Sequence, residues 1–339
     1  MRYTIWNNKG GTGKTSLSFQ ILTTYALNHP ELNVLTIDLC PQANLSELLL
    51  GGLEGRGGIN LEALYNKTVR CSVGGYFQQR ISTPFARWQD SDYVNYLSVP
   101  NQYNANIPDN IKLLAGDKLL EIQSVALTTL ANTQLPGVET RLAILDWINN
   151  FIEATENSFD TIFIDTNPSF SIHTQIALTA SERLILPVMA DDSSRRAIAN
   201  VFTLIYGLNS PSPIYNNYLF SSTLQNAHRQ LPLVHLIIKN RITQYMGAAS
   251  AYASVLNHIS QDIQTLLQSN PQYFTFTNLG EHTIDVTDFG TTGVVAFAEG
   301  APFKNLKIGK HTINGRETVI NKNMLDDCIN EIEHIVSLL

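Results

Sequence analysis

The sequence predicts an α/β fold: a doubly wound, mostly parallel β-sheet flanked by helices. Two observations predict it. First, Tyr3-Thr4-Ile5-Trp6 is a short β-type run that feeds a glycine-rich loop at 9–15, a helical pattern over 15–28, and a second strand from Asn33 to Ile37. Strand, glycine turn, helix, strand is a βαβ opening, and such a crossover joins parallel strands. Second, short apolar runs recur down the chain with helical patterns between them. That alternation belongs to a parallel sheet covered on both faces.

The elements follow in order. Leu17, Ile21, Leu22 and Tyr25 recur at helical spacing in the first helix. The second strand ends at Asp38. The stretch 51–110 is less regular, with Gly-Gly pairs, many Asn and Gln, and the aromatics Tyr76, Phe77, Phe85, Trp88, Tyr93 and Tyr96. It reads as an insertion with some helix, serving either as a partner surface or as ordinary loop packing. Ile111-Lys112-Leu113-Leu114 resumes strand character. Residues 139–157 read as one helix, with Leu142, Leu145, Trp147, Ile148 and Ile152 on or near one face. Buried-type strands follow at Thr161–Ile164, ending at Asp165, at Leu184–Val188, and at Leu236–Ile238, ending at Lys239-Asn240. Residues 324–339 form an amphipathic helix. Its polar positions are acidic (Asp326, Asp327, Glu331, Glu333), whereas a helix lying on a membrane is basic, so it is expected to dock on the core. No repeat or linker stands out, and the expectation is one domain over 1–339 with an insertion at about 51–110.

The chain has 339 residues, a formal charge of −7 and only 15% charged residues. Such a surface attracts no polyanion as a whole, so nucleic-acid binding needs a local basic patch. Cys40, Cys71 and Cys328 show no C-x-x-C spacing, which argues against a zinc module or disulfide scaffold. The first strand begins at once, leaving no room for a signal peptide, and no apolar run spans a membrane. The cytoplasm is the expected location, with no membrane partner.

Residues 9–15, Lys-Gly-Gly-Thr-Gly-Lys-Thr, carry the chemistry. Close approach of backbone to phosphate requires glycine, and Gly10, Gly11 and Gly13 flank Thr12. N–H groups at a helix start must point inward, and a cation must neutralise the β- and γ-phosphates. Lys14 supplies the ammonium. Thr15 supplies a hydroxyl for Mg²⁺ and opens the helix, followed by Ser16. The chain is therefore expected to bind a nucleoside triphosphate on a P-loop NTPase fold. The general pattern G-x-x-x-x-G-K-[ST] has glycine where this chain has Asn8, and Lys9 adds a second lysine. That lysine comes too early for its own phosphates and is able to project across to a second molecule.

This loop resembles the deviant Walker A loop of the ParA/MinD family. Asp38-Leu39-Cys40-Pro41-Gln42-Ala43-Asn44-Leu45-Ser46 looks like the family's switch I, and Phe163-Ile164-Asp165-Thr166-Asn167-Pro168-Ser169 like its Walker B and switch II. Pro187-Val188 with Asp191-Asp192-Ser193-Ser194, and the segment Gly293 to Pro302, resemble two further family stretches. The likeness is nearer to the ParA (Soj-like) partition ATPases than to MinD, since switch I carries Pro-Gln and the last helix is acidic. The resemblance implies an ATP-sandwiched homodimer in which Lys9 reaches the partner's triphosphate. Lys14 would bind the β- and γ-phosphates, and Thr15 would ligate Mg²⁺, with Asp38 and Asp165 holding the metal through water. Asn240 stands where the family reads adenine. Lys9, Lys14 and Asp38 are the expected catalytic residues.

Cys40 departs from the pattern: it replaces a second switch I aspartate that positions or activates the attacking water. A neutral thiol is a poor proton acceptor. Either hydrolysis is slow, or another group does this work and Cys40 is a small buried neighbour. Asn167, in place of a proline, is a milder departure. Lys304, Lys307, Lys310, Arg316 and Lys322 crowd one segment, reading either as a nonspecific DNA site or as a solvated face. The resemblance thus implies a nucleoid-associated partition or positioning ATPase that works with a ParB-like or cargo-adaptor protein. The alternative is a nucleotide-locked scaffold or regulator with little or no turnover.

Overall fold

The computed structural model describes residues 1–88, 91–155, 158–210, 212–242 and 250–339. β1 (Arg2–Ile5) leads through the glycine loop into α1 (Lys14–Asn28) and then β2 (Val34–Leu39). α2 (Asn44–Leu49), α3 (Gly57–Tyr65) and α4 (Val73–Ile81) precede β3 (Leu97–Ser98) and β4 (Ile111–Leu114). α5 (Leu119–Ala131), α6 (Thr140–Leu145) and α7 (Trp147–Ala154) lead to β5 (Thr161–Thr166), α8 (Ile172–Thr179) and β6 (Arg183–Val188). Next come α9 (Asp192–Tyr206), α10 (Phe220–Asn226), β7 (Leu233–Ile242), α11 (Ser250–Ser269) and β8 (Thr283–Thr287). α12 (Gly290–Glu299), a hairpin of β9 (Gly309–Ile313) and β10 (Arg316–Ile320), and α13 (Lys322–Val336) end the order.

Eight strands form one sheet in the order β3-β4-β2-β5-β1-β6-β7-β8. Every pairing is parallel except β3 with β4. This bears out the doubly wound, mostly parallel sheet. Alternation explains why the central strands read as unbroken apolar runs. In β2, Val34 faces one core while Leu35, Ile37 and Leu39 face the other; in β5, Phe163 parts in the same way from Ile162 and Ile164. Both faces are covered, so both sets must be apolar. α1, α2, α3, α12 and α13 cover one face, and α4 to α11 the other.

The aromatics of 51–110 turn inward. Tyr76 and Phe77 are fully buried. Tyr76 meets Trp88, Tyr96 and Phe151 at ring-centroid distances of 4.9, 5.7 and 5.1 Å, and Phe77 meets Trp147 at 5.2 Å. These side chains pack the core and are not presented to a partner. Truncating Phe77 to alanine should therefore cost about 3–5 kcal/mol, read as a lower denaturant midpoint with one cooperative transition. A separate early transition would mean that this stretch packs independently.

The single helix expected over 139–157 is two, α6 and α7, broken at Asp146. The Asp146 carboxylate accepts from Asn149 Nδ2 at 2.9 Å and pairs with Arg229 at 3.0 Å. Asp146 itself leaves the helical angles, at φ −83° and ψ 3°. Residues 156 and 157 lie outside the described residues. The last helix starts at Lys322 and ends at Val336, and its Leu325, Cys328, Ile332 and Ile335 are buried in the core that α1 shares. Docking of that helix is borne out. Among the described residues no helix is long and apolar enough to cross a membrane.

Candidate nucleotide site

In a doubly wound sheet, ligands bind beyond the carboxyl ends of the strands where the order reverses. β1 is flanked by β5 and β6 here, and the loops after β1, β2, β5, β6 and β7 meet at that end. The glycine loop opens α1, with Gly11 at φ 76° and Gly13 at φ 81°. Side chains rarely adopt these angles. Space matters as well: a Cβ on Gly13 would strike the Asn240 side chain, whereas Gly10 and Gly11 face open space. Asn7 braces the loop. Its Nδ2 donates to the Pro187 carbonyl at 2.8 Å, and its Oδ1 accepts from the Lys9 N–H at 3.1 Å. Lys14 is 7% exposed, and its Nζ donates to the Lys9 carbonyl at 2.9 Å. Burial lowers its pKa, opposed by the nearby Asp165.

Asp38 and Asp165 sit opposite each other in paired strands, both fully buried. Asp165 accepts from Thr15 Oγ1 at 3.2 Å and Ser18 Oγ at 2.8 Å. Asp38 Oδ1 accepts from the Cys40 N–H at 3.0 Å, and its Oδ2 from the Ser46 N–H at 3.0 Å and Ser46 Oγ at 2.7 Å. Burial raises both carboxyl groups above the ordinary range, and Asp38 raises Asp165 further by repulsion. Buried carboxylates and a hydroxyl are hard oxygen donors that suit Mg²⁺, which typically takes one or two carboxylates and fills its shell with water and phosphate oxygens. Among the described residues no cluster of three or more His, Cys, Asp or Glu would hold a metal alone. Thr15, Asp38 and Asp165 fit a Mg²⁺ ion whose remaining ligands are water and phosphate oxygens.

The raised carboxyls have a pH consequence. In the folded chain they keep protons that the unfolded chain has already lost. Their stabilising contribution is therefore full at low pH and falls as pH rises from the ordinary carboxylate value near 4 through their raised values. The ligand-free protein should lose thermal stability between about pH 4 and about pH 7, and Asp165→Asn should flatten that slope. Equal slopes for the two proteins would contradict the assignment.

Cys40 is 7% exposed, and its thiol donates to Gln42 Oε1 at 3.2 Å. Burial, with the charges of Asp38 and Asp165, pushes it up to about 12. It is a neutral thiol beside two acids. Lys9 points back into its own chain: its Nζ pairs with Asp191 and donates to Ser194 Oγ at 3.2 Å. Asp191 caps α9 by accepting from the Ser194 N–H at 2.8 Å. Burial would raise Asp191, but the hydrogen bonds from Lys9, Ser193 and Ser194 hold it near about 2. Asn240 Nδ2 donates to the Thr12 carbonyl at 2.8 Å, so the end of β7 is fastened to the glycine loop.

Lys9 to Thr15, Asp38, Asp165 and Asn240 are thus gathered in one place. The basic segment is elsewhere: Lys304 and Lys307 precede the hairpin, Lys310 and Arg316 lie on it against α12, and Lys322 opens α13. Within it Lys304 is tied to Glu333 and to Asn28 at 2.6 Å, and Lys310 to Glu317 at 2.9 Å. Among the described residues Lys307, Arg316 and Lys322 make no ion pair. His173, after switch II, is buried and stacked on Phe77 at 5.9 Å; burial lowers it to about 4, so it packs as a neutral ring. Asn7 and Ser18 are functional neighbours that sequence reasoning missed, while in the sequence Ser46 is only the end of the switch I stretch, without its bond to Asp38. Of the first two only Ser18 left a signal, one helical turn beyond Lys14.

A family model described as an AAA domain matches residues 2–213. The chain belongs to the ParA/MinD family of P-loop ATPases. The cell division protein PomZ of Myxococcus xanthus (strain DK1622) is 30% identical over 204 residues. That match takes in 60% of this chain and 50% of PomZ, so it spans half the length of the curated relative. Among solved structures, an ATP complex of a Cyanothece McdA variant covers 99% of this chain and 95% of its own, with TM-score 0.62 and 13% identity. A putative plasmid partition protein from Borrelia burgdorferi B31, bound to AMPPNP, covers 100% and 99%, with TM-score 0.53 and 16% identity. At these identities the likeness is one of fold. For this ParA/MinD-family chain the matched stretch contains the glycine loop, Asp38, Asp165 and Asp191. Asn240 and the basic hairpin lie beyond it.

Proposed function

We propose that this chain binds ATP with Mg²⁺, dimerises around the nucleotide and acts as a ParA-like partition or positioning ATPase. The observation that carries the reading is the gathering of Lys14, Thr15, Asp38 and Asp165 at one strand end with a second lysine, Lys9, beside them. Bound Mg²⁺ would neutralise charge on the β- and γ-phosphates. Lys14 holds those phosphates in place, the glycine loop supplies inward N–H groups, and Thr15 with the two aspartates fixes the metal. Lys9 serves the second copy's nucleotide once it leaves Asp191. A ParB-like or cargo-adaptor partner would then control release. Cys40 supports a second reading, a nucleotide-locked scaffold with little turnover.

Size-exclusion chromatography with and without ATP and Mg²⁺ tests the central claim; a monomer that ignores both would defeat it. Nonspecific DNA binding, with nucleoid association, is expected of the dimer through Lys307, Lys310, Arg316 and Lys322. Each phosphate contact contributes about 0.9 to the slope of log K against log salt. Replacing Lys307, Arg316 and Lys322 together with glutamine should lower that slope by about 2–3, as read by fluorescence anisotropy on random-sequence duplexes. Lys304 should contribute little, because Glu333 already engages it. An unchanged slope in the triple variant would remove the hairpin from the reading.

A further inference from the structure

The end of β7 falls out of step with its neighbour. Lys239 pairs with Asp285 and Ile242 with Thr287, so Asn240 and Arg241 stand where β8 has only Val286. Such a bulge re-aims a side chain, and bulges gather beside functional sites. Arg241 takes the left-handed region at φ 60°, which a side chain of its size adopts only when its surroundings hold it there. Asn240 does so: its Oδ1 accepts from the Arg241 N–H at 2.9 Å. The other end of the same amide meets the glycine loop, where Nδ2 donates to the Thr12 carbonyl at 2.8 Å. One partner is an N–H and the other a carbonyl, so the amide has a single satisfactory orientation.

That carbonyl sits at the loosest point of the loop. Thr12 lies between Gly11 and Gly13, both at positive φ, and glycine leaves the backbone on either side free to turn. A trans peptide is planar, with its C=O and N–H pointing opposite ways. Drawing the Thr12 carbonyl toward β7 therefore aims the Gly13 N–H away from β7, to the side left for a phosphate. Gly13 itself lies against the amide, since a Cβ there would strike Asn240 Nδ2. Asn7 braces the first half of the loop from the Pro187 carbonyl of β6, and Asn240 braces the second half from β7. An ordered loop spares the ligand the cost of ordering it. Fixing the backbone of one residue is worth about five- to thirtyfold in binding.

The same contacts place Asn240 poorly for reading a base. Its side chain is 3% exposed and is bonded to Thr12, which is itself fully buried. The oxygen that an adenine amino group would need is engaged by Arg241, and the nitrogen is engaged by Thr12. We propose that Asn240 is a positioning residue that sets the Thr12–Gly13 peptide for the phosphates and recognises no feature of the base. This rests on reading the loop as the triphosphate site, and it departs from the adenine contact that the family resemblance implies at this position.

The test is calorimetric titration of the full chain, with Mg²⁺, by three nucleotides. These are ATP, nebularine triphosphate, which lacks adenine's amino group, and tubercidin triphosphate, which lacks the acceptor nitrogen of the five-membered ring. Asn240→Ala should weaken all three by about five- to thirtyfold, the factors agreeing within about threefold. Additivity of this kind marks a residue and a base feature that do not touch. Asn240→Asp is nearly isosteric and keeps an acceptor for Arg241 and for an amino group, but it has no donor for Thr12. It should weaken ATP at least as much as Asn240→Ala does. If the alanine variant does not fold, the aspartate variant carries the same comparison of ATP with tubercidin triphosphate. Factors that differ by more than about threefold between ATP and an analogue would make Asn240 a base reader and overturn the proposal. So would an aspartate variant whose ATP affinity stays within about threefold of the wild type. A lower thermal midpoint with unchanged affinities would leave Asn240 with a structural role alone, and would overturn it too. A wild type that binds none of the three nucleotides defeats the proposed function and this inference with it. Coupling between Asn240 and the base, in a chain that does bind ATP, defeats the inference alone.

Discussion

Replacing Lys14 with methionine should remove most of the stabilisation expected from ATP and Mg²⁺, while leaving the ligand-free protein at least as stable as the wild type. Two arguments lead to this pair of outcomes. The Lys14 ammonium is buried, has one carbonyl acceptor on Lys9, and carries a pKa lowered by desolvation. A charge held in that setting without phosphate costs folding free energy, and an apolar side chain of similar length removes the cost. With nucleotide bound the balance reverses. Truncating one member of a buried, hydrogen-bonded charge pair costs about 2–5 kcal/mol of binding, a factor of about 30 to several thousand. At ATP near 100 times the wild-type dissociation constant, binding adds about 2.7 kcal/mol of stability, of which the variant should lose about 2 kcal/mol or more. Thermal unfolding with and without ATP and Mg²⁺ reads both effects. A methionine variant that keeps the wild-type ATP shift would show that the glycine loop binds phosphate without its lysine.

The second large effect is a gain. Changing Cys40 to aspartate should raise ATP turnover by at least about tenfold, toward the 10²–10⁴ that a general base typically contributes. The thiol, pushed up to about 12, is occupied with Gln42 and accepts no proton from water at neutral pH. The backbone at this position is already fixed, because the Cys40 N–H is held by Asp38, so a carboxylate would be presented from a set direction. The new charge adds to Asp38 and Asp165 and should destabilise the metal-free protein. The rate comparison therefore belongs at saturating Mg²⁺. Cys40→Ser is the control and should give no gain, since serine is no better a base. Equal rates for the wild type and Cys40→Asp would sink the slow-hydrolysis reading and point to another group as the water's acceptor.

The central strands were legible because both faces of the sheet are covered. Leu35 and Ile37 face one core and Val34 the other, and the one polar residue among them, Thr36, is itself buried. β8 was not legible. Its Thr283, Asp285 and Thr287 alternate with two apolar residues at the sheet's edge, which is too little for a strand signal. The hairpin escaped for a related reason: β9 alternates exposed and half-buried residues on a two-stranded ribbon. In the site, the residues bound to one motif were legible and those joined across the fold were not. Ser46 matters because its hydroxyl donates to Asp38 and accepts the Gly116 N–H at 2.9 Å, 70 residues away. Asp191 meets Lys9 across 182 residues. The basic cluster looked like a single patch in the sequence until Glu333, one helix later, took Lys304 out of it.

Lys9 resting on Asp191 and Ser194 has a consequence in the arithmetic of assembly. In the proposed two-fold dimer each chain would have to free its own lysine before lending it to the other. The cis contact would then be broken twice for every dimer made. A substitution such as Asp191→Asn that weakens it by a given factor would multiply the association constant by up to the square of that factor. A small adjustment at one surface carboxylate would then shift, disproportionately, the protein concentration at which two chains become one particle.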